Sequence, residues 1–385
     1  MRPDRIFSLR RDLGLYSRWG GRVLGIAREL RDADRPVGSP LLLQAHLTTR
    51  CNLRCKMCGQ WGEQGTQHGK EAHTLPLELA LTLVDEAAAR GAQLTLWGGE
   101  PLLYPHLPEL LARATERGAV LGVITNGVLL ERYAEALVSA GVNQVMVSLD
   151  GPEAVHDPLR GVPGTFQRVM RGLRALQAAK GDRLLPRVDV LVTASEFNQG
   201  ALLPLHEELA AVPVEVRAVA TTLRWWLTDE VGQAYQALMA ERLGVAEADS
   251  WEGFASGPPP VEVGVIRADL EAIRARRWPF KTPLNPNIPL DRLEDFFTDV
   301  TESFGKELCT APWAYALVLP SGDLTFCPDY PDYTIGNLGE QPFEAIWQGE
   351  RARAFRDLLR ERSLPICARC CSQYLMGAKR PARRG

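Results

Sequence analysis

At 385 residues the chain is long enough for two or three domains, because single cores stop growing at about 250 to 300 residues. Its 45% hydrophobic and 24% charged content and formal net charge of -3 are those of an ordinary soluble protein and point to neither a nucleic-acid nor a membrane partner. No run of about 18 apolar residues occurs and the N-terminus alternates charge with hydrophobe, so no span and no signal-peptide core is read, and a cytoplasmic location is expected.

The first 35 residues hold nine arginines against five acids, which reads as a solvated helical face. From 41 to 220, short apolar runs alternate with amphipathic stretches. Strands are expected at 41–48, 93–97, 119–125, 144–149, 187–193 and 214–219. Helices are expected at 76–90, opened by Pro76 and closed by Gly91, and near 105–117, 130–140, 164–180 and 198–211. Six strands with a helix between each pair mean parallel pairing with right-handed crossovers, with ligands at the carboxyl ends of the strands.

Residues 221–308 break that rhythm with Trp225, Trp226, a GPPP run at 257–260 and helical stretches near 229–243 and 265–277, and read as a connector packed by its aromatics. From 309 a compact module begins: ALVLPSGDLTFC at 316–327 is two strands around a Ser-Gly-Asp turn, followed by a helix near 342–360. The expected organisation is thus an N-terminal helical extension at 1–40, a core at 41–220, the connector at 221–308, the module at 309–376 and a basic tail at 377–385.

Eight cysteines in a reducing compartment are metal ligands or catalytic thiols in preference to disulfides. They cluster as 51/55/58, 309/327 and 367/370/371, with 250 residues between Cys58 and Cys309 that contain none. CNLRCKMC at 51–58 puts three thiols on the loop after the first strand, where they can converge on one soft metal centre. Two readings stand. Structural zinc needs a fourth ligand, for which His68 and His73 are the nearby candidates, whereas a 4Fe-4S cluster held by three cysteines leaves one iron open for a chelating ligand.

CNLRCKMC resembles the cluster motif of the radical S-adenosylmethionine superfamily, and the motifs at the next strand ends agree with it over about 180 residues. The resemblance implies an α/β fold, a partial (β/α)6 TIM-type barrel with a small C-terminal α+β auxiliary-cluster domain. It also implies a 4Fe-4S cluster on Cys51, Cys55 and Cys58, and S-adenosylmethionine as cofactor. LWGGEPLL at 96–103 resembles the family's GGE motif, in which Gly98 and Gly99 let the backbone approach the methionine moiety and Glu100 offers a carboxylate to its ammonium. VSLDGPEAVHDPLRG at 147–161 resembles the fourth-strand segment of the branch with auxiliary clusters, which assigns Ser148 to the ribose or methionine part and Arg160 to the carboxylate. Asp150 is equally a turn device, and TNG at 125–127 is read as a turn. Met57 stands where many members carry an aromatic residue near the adenine.

Cys309, Gly322 and Cys327 form Cx12Gx4C, and Cys367 and Cys370 form CxxC; four such thiolates close one metal site, which zinc also fits. The pattern resembles SPASM and Twitch auxiliary domains, Twitch more closely, because no cysteine follows Cys371 for a further cluster. The resemblance therefore implies a second, auxiliary 4Fe-4S cluster. Cys371 is the spare thiol. His46 is read as a core or barrel-lumen residue and His106 and His156 as loop residues, and no catalytic acid or base is assigned.

The expected activity is reductive cleavage of S-adenosylmethionine to a 5'-deoxyadenosyl radical that abstracts a substrate hydrogen, with a reductant such as flavodoxin or ferredoxin. About 40 residues precede the first strand, fewer than the leader-binding domain of peptide-maturing relatives, so peptide and small-molecule substrates both stay open. The reading from a different class is a non-enzymatic zinc- or iron-sulfur-binding scaffold or electron carrier.

Overall fold

The structure, a computed structural model, describes residues 19–62 and 65–379. The first 18 residues of the expected N-terminal extension, and residues 380–385 of the basic tail, lie outside the described residues. Within them, 19–29 form helix α1. Arg22 on α1 pairs with the buried Glu29 at 2.8 Å and donates to the Trp313 carbonyl at 2.6 Å, tying the N-terminal helix to the C-terminal region.

Six βα units follow: β1 (Leu42–His46), α2 (Leu77–Arg90), β2 (Gln93–Trp97), α3 (Leu107–Arg117), β3 (Val120–Thr125), α4 (Leu130–Ser139) and β4 (Gln144–Ser148), then α5 (Glu153–Arg160), α6 (Thr165–Lys180), β5 (Arg187–Ala194), α7 (Leu202–Ala211) and β6 (Ala218–Leu223). Gly91 closes α2 in the left-handed region at φ 63°, which a Cβ would disfavour. Leu94, Leu96, Leu121, Val123, Val145, Val147 and Val190 are buried between the sheet and its helices, because a parallel sheet is covered by its own crossovers.

The strands β1 to β6 pair in parallel in chain order. Their registers set the carboxyl ends level: His46 lies opposite Trp97, Thr125 opposite Val147, and Ser148 opposite Leu191. The residues just past these positions therefore meet on one face. The sheet is an open partial barrel and does not close on itself.

Two differences from expectation concern the flanks. The connector contributes α8 (Asp229–Leu243), α9 (Val263–Ala275), a strand, β7 (Leu284–Asn285), and α10 (Leu293–Thr298). β7 pairs with β6, so the connector extends the sheet. The C-terminal module holds β8 (Leu308–Cys309), α11 (Ala311–Ala314), β9 (Tyr315–Val318), β10 (Asp323–Thr325), β11 (Gly336–Asn337), α12 (Phe343–Trp347), α13 (Glu350–Glu361), α14 (Cys371–Met376) and β12 (Gly377–Ala378). Its hairpin does not stand apart: β9 pairs in parallel with β1, placing Val318 opposite Ala45, and the sheet order runs β11-β10-β9-β1 through β6 to β7. Otherwise β1 would present an unpaired edge, and the hairpin covers it. The helix expected near 342–360 is two, interrupted before Glu350.

The connector packs by its aromatics as expected. Trp226 is fully buried, and Trp225 stacks on Tyr374 with ring centroids 6.0 Å apart. Arg369, fully buried, lies over the Trp226 ring at 5.4 Å and the Phe296 ring at 4.3 Å and donates to the carbonyls of Phe296 (2.8 Å) and Glu302 (3.0 Å). This clasp fixes the backbone between Cys367 and Cys370. No helix among the described residues is long and apolar enough to cross a membrane.

Candidate active site and second thiol cluster

The carboxyl ends of β1 to β4 open on a cavity of about 930 Å³. Cys51, Cys55 and Cys58 line it together with Gly98, Gly99, Ser148 and Arg160, so the face brings four of the five expected cofactor-binding residues to the three-cysteine loop. The lining also includes Asp249, Glu252 and Phe254 of the connector, Phe254 packing against Gly59 beside Cys58, and Pro328, Asp329 and Asp332 just past β10. The cavity therefore lies between the barrel and the C-terminal hairpin.

Gly98 and Gly99 have a structural cause close at hand. Gly98 sits at φ +148°, and a Cβ there would lie 2.5 Å from the Thr48 carbonyl; one on Gly99 would lie 2.4 Å from that of Arg50. The Gly99 and Glu100 amides donate to the same two carbonyls at 2.8 Å each. The glycines let the turn after β2 lie directly against the root of the cysteine loop.

Glu100 departs from expectation. It is fully buried and absent from the cavity lining. Its carboxylate accepts from the Leu102 amide at 3.0 Å, the Thr125 hydroxyl at 2.7 Å and the Asn126 amide at 2.7 Å. These bonds join the turn after β2 to that after β3. Burial pushes its pKa up to about 7, against the lowering by the Asn126 and Leu102 amides.

The TNG stretch, read as a simple turn, is part of the same joint. Asn126 Nδ2 donates to Asn52 Oδ1 at 2.8 Å and lies 3.9 Å from Cys51 Sγ. Asp150 likewise does more than turn the chain. Fully buried, it pairs with Arg160 at 2.6 Å and accepts from the Thr193 amide at 2.9 Å. Arg160 Nη1 comes within 3.6 Å of Cys55 Sγ, and the Arg54 amide donates to the Arg160 carbonyl at 3.2 Å. Helix α5, unread in the sequence because Pro152 and Pro158 punctuate it, carries this arginine to the loop. Met57 is absent from the lining, where Trp61, Trp97 and Phe254 supply the aromatic surface; Trp61 is fixed by its indole N–H donating to the Thr49 carbonyl at 2.9 Å.

The second set assembles on the other side of the hairpin. Cys309, Cys327, Cys367 and Cys370 line one small apolar cavity, whereas Cys371 does not. Cys371 Sγ lies instead 3.2 Å from the Asp329 carboxylate. The CxxC spacing favours Cys370 over the spare Cys371; Cys370 alone of the two lines this cavity, although its Sγ also comes within 3.8 Å of the Asp329 carboxylate.

Both sets offer buried or half-buried soft donors that suit an iron-sulfur cluster. Burial pushes the Cys51 and Cys309 thiols up to about 12, and Cys327 and Cys367 well above the ordinary range, so thiolates there need metal to form. Tetrahedral zinc with Zn–S bonds of about 2.3 Å needs sulfurs about 3.8 Å apart. Among the described residues the one trio of metal-ligating side chains with all donor atoms within 4.8 Å of one another is Asp329, Cys370 and Cys371; neither the loop thiols nor any three of the quartet form such a trio. His68, a candidate fourth zinc ligand, bonds the Gly62 carbonyl at 3.1 Å through Nδ1, while His73 lines the cavity.

The family model for the radical SAM superfamily matches residues 46–199, and that for an iron-sulfur cluster-binding SPASM domain matches 309–371. An AdoMet-dependent heme synthase of Nitratidesulfovibrio vulgaris is 34% identical over 341 residues, covering 83% of this chain and 82% of that protein. One of Methanosarcina barkeri is 28% identical over 326 residues, covering 83% and 85%. Among solved structures, Streptococcus suis SuiB bound to its precursor peptide SuiA superposes with a TM-score of 0.60 at 14% identity, covering 93% of this chain and 78% of that one. The chain belongs to the radical S-adenosylmethionine superfamily and is an enzyme of it, using a 4Fe-4S cluster, S-adenosylmethionine and an auxiliary iron-sulfur centre.

Proposed function

We propose that Cys51, Cys55 and Cys58 hold the catalytic cluster, that Cys309, Cys327, Cys367 and Cys370 hold one auxiliary 4Fe-4S cluster, and that the cavity between them binds the substrate. The observation that carries this reading is the cavity itself, bounded at one end by the three-thiol loop and at the other by the segment that follows Cys327. When bound, the cluster and S-adenosylmethionine supply a 5'-deoxyadenosyl radical able to abstract hydrogen from an unactivated C–H bond.

The chain's own part is placement. Arg160, held by Asp150, offers a guanidinium at the cavity wall for the cofactor's carboxylate. Ser148 stands at the end of β4 for the ribose or methionine part, and Gly98 and Gly99 leave open backbone beside the loop. Glu100 acts indirectly, by locking the turns after β2 and β3. The walls exclude water from the radical.

The substrate is a peptide or small molecule. Asp249 and Glu252 line the cavity with Lys70 and Arg160, while the lining carboxylates of Asp329 and Asp332 are already engaged, by the Cys371 thiol and by Tyr235 and Ser250. SuiB, of the same fold, is described with a bound precursor peptide, which supports the peptide side. An external one-electron protein donor of the flavodoxin or ferredoxin class completes the set. Anaerobic reconstitution tests the reading: a brown protein forming 5'-deoxyadenosine from S-adenosylmethionine with dithionite supports it, and a colourless protein with stoichiometric zinc and no iron overturns it.

A further inference from the structure

We infer that the outer face of the cysteine loop is the docking surface for the electron donor, and that this donor is a small acidic one-electron carrier protein. The inference rests on the assignment of the catalytic cluster to Cys51, Cys55 and Cys58. Reductive cleavage consumes an electron that the chain must receive from outside, and the loop places its thiols close to the surface. All three cysteines are half-buried, while Arg50, Arg54 and Lys56, interleaved with them, are exposed.

Arg50, Arg54 and Lys56 form no ion pair among the described residues, although the chain as a whole carries a net charge of -3. Arg54 is held in place: Nη1 donates to the Cys51 and Leu53 carbonyls at 2.9 and 2.7 Å, and the guanidinium lies over the Trp61 ring at 4.3 Å. Lys56 sits 5.8 Å over the ring of Phe197, one of the few large hydrophobic side chains left exposed, at 38%. Arg224 approaches the same ring at 5.7 Å, and it takes up the neighbouring Glu196 carboxylate in an ion pair. The surface is therefore an exposed aromatic ring flanked by cations, beside the thiols that hold the cluster.

That combination suits a transient redox encounter. Weak electron-transfer complexes use small interfaces, and charge complementarity governs how fast they form rather than how tightly they hold. One electron leaves the carrier, which is oxidised by one, and reduces the cluster by one; the proton balance of the chain is unchanged.

The experiment uses the reconstituted holoenzyme with S-adenosylmethionine and a reduced flavodoxin as donor, following cluster reduction by stopped flow at low and high salt. For the wild type the rate should fall at least tenfold between low and high salt, because steering is screened within a Debye length of about 10 Å at 0.1 M. Lys56→Glu should slow the low-salt rate at least tenfold and flatten its salt dependence, and Phe197→Ser should slow it severalfold at both salts. Iron content and dithionite-driven 5'-deoxyadenosine formation should stay within twofold of wild type. Flavodoxin-driven rates within twofold of wild type in these variants, or a wild type that dithionite reduces and flavodoxin does not, overturn the inference. Absence of dithionite-driven 5'-deoxyadenosine in the wild type would instead overturn the cluster assignment.

Discussion

Arg160 on α5 reaches back to Asp150 at the end of β4, Nη2 to Oδ2 2.6 Å, and its other terminal nitrogen lies 3.6 Å from Cys55 Sγ. One buried ion pair thus links the fourth strand to the cysteine loop. Burial works against the guanidinium's charge, but the Asp150 carboxylate and the Cys55 sulfur hold its pKa above the ordinary value.

Arg160→Gln leaves the fully buried Asp150 uncompensated and should destabilise the fold by about 3 kcal/mol. Adding Asp150→Asn should recover most of that loss, because the pair and not either partner is what the interior tolerates. Denaturant unfolding of the single and double variants checks it. S-adenosylmethionine affinity should stay at least about tenfold reduced in both, the worth of one charge-assisted bond.

Glu100 gives the fold a pH dependence of definite sign. Its carboxyl holds a proton up to about pH 7 when folded, against 4.5 in its ordinary state. Between those values the folded chain binds more protons than the unfolded one, so stability falls as pH rises from 4.5 through 7, by about 3 kcal/mol. Glu100→Gln removes that slope. Unfolding of the metal-free wild type and variant at pH 5 and pH 8 should show a wild-type loss that the variant lacks, with the variant weaker at both because an amide cannot accept from three donors.

Gly98→Ala drives a Cβ to 2.5 Å from the Thr48 carbonyl at a φ that side chains avoid. It should cost about 2 kcal/mol and weaken cofactor binding by displacing the loop root. Thermal unfolding and titration with S-adenosylmethionine measure the two effects. A variant with unchanged stability would show that the turn after β2 has room to move.

Much of this was legible in the sequence, and the boundary has a physical cause. Local spacing marks Cys51, Cys55 and Cys58 as one candidate metal site, and the six parallel strands show in their apolar runs. Interactions between loops of different strands were not legible. Thr125-Asn126-Gly127 looks like a turn because nothing in its own segment reveals Glu100, and Asp150-Gly looks like one because α5, which turns Arg160 back onto Asp150, is not legible in its stretch. The pairing of β9 with β1 joins segments more than 260 residues apart, so the C-terminal module read as a separate domain although its hairpin continues the main sheet. Cys370 and Cys371 differ only in the direction the chain turns after Arg369.

That turn makes a discriminating prediction. Cys370 shares a cavity with Cys309, Cys327 and Cys367, and Cys371 faces Asp329. Cys370→Ala should lose about four irons per chain, and Cys371→Ala should lose none. Iron analysis after anaerobic reconstitution decides between them.

The most direct test of the account separates the two thiol sets by iron content and cofactor cleavage in the same preparations. Cys55→Ala should abolish dithionite-driven formation of 5'-deoxyadenosine while keeping about four irons, and Cys327→Ala should also lose about four irons yet retain measurable cleavage. Equal loss of cleavage in both variants would contradict the division into a catalytic three-thiol site and a closed auxiliary one.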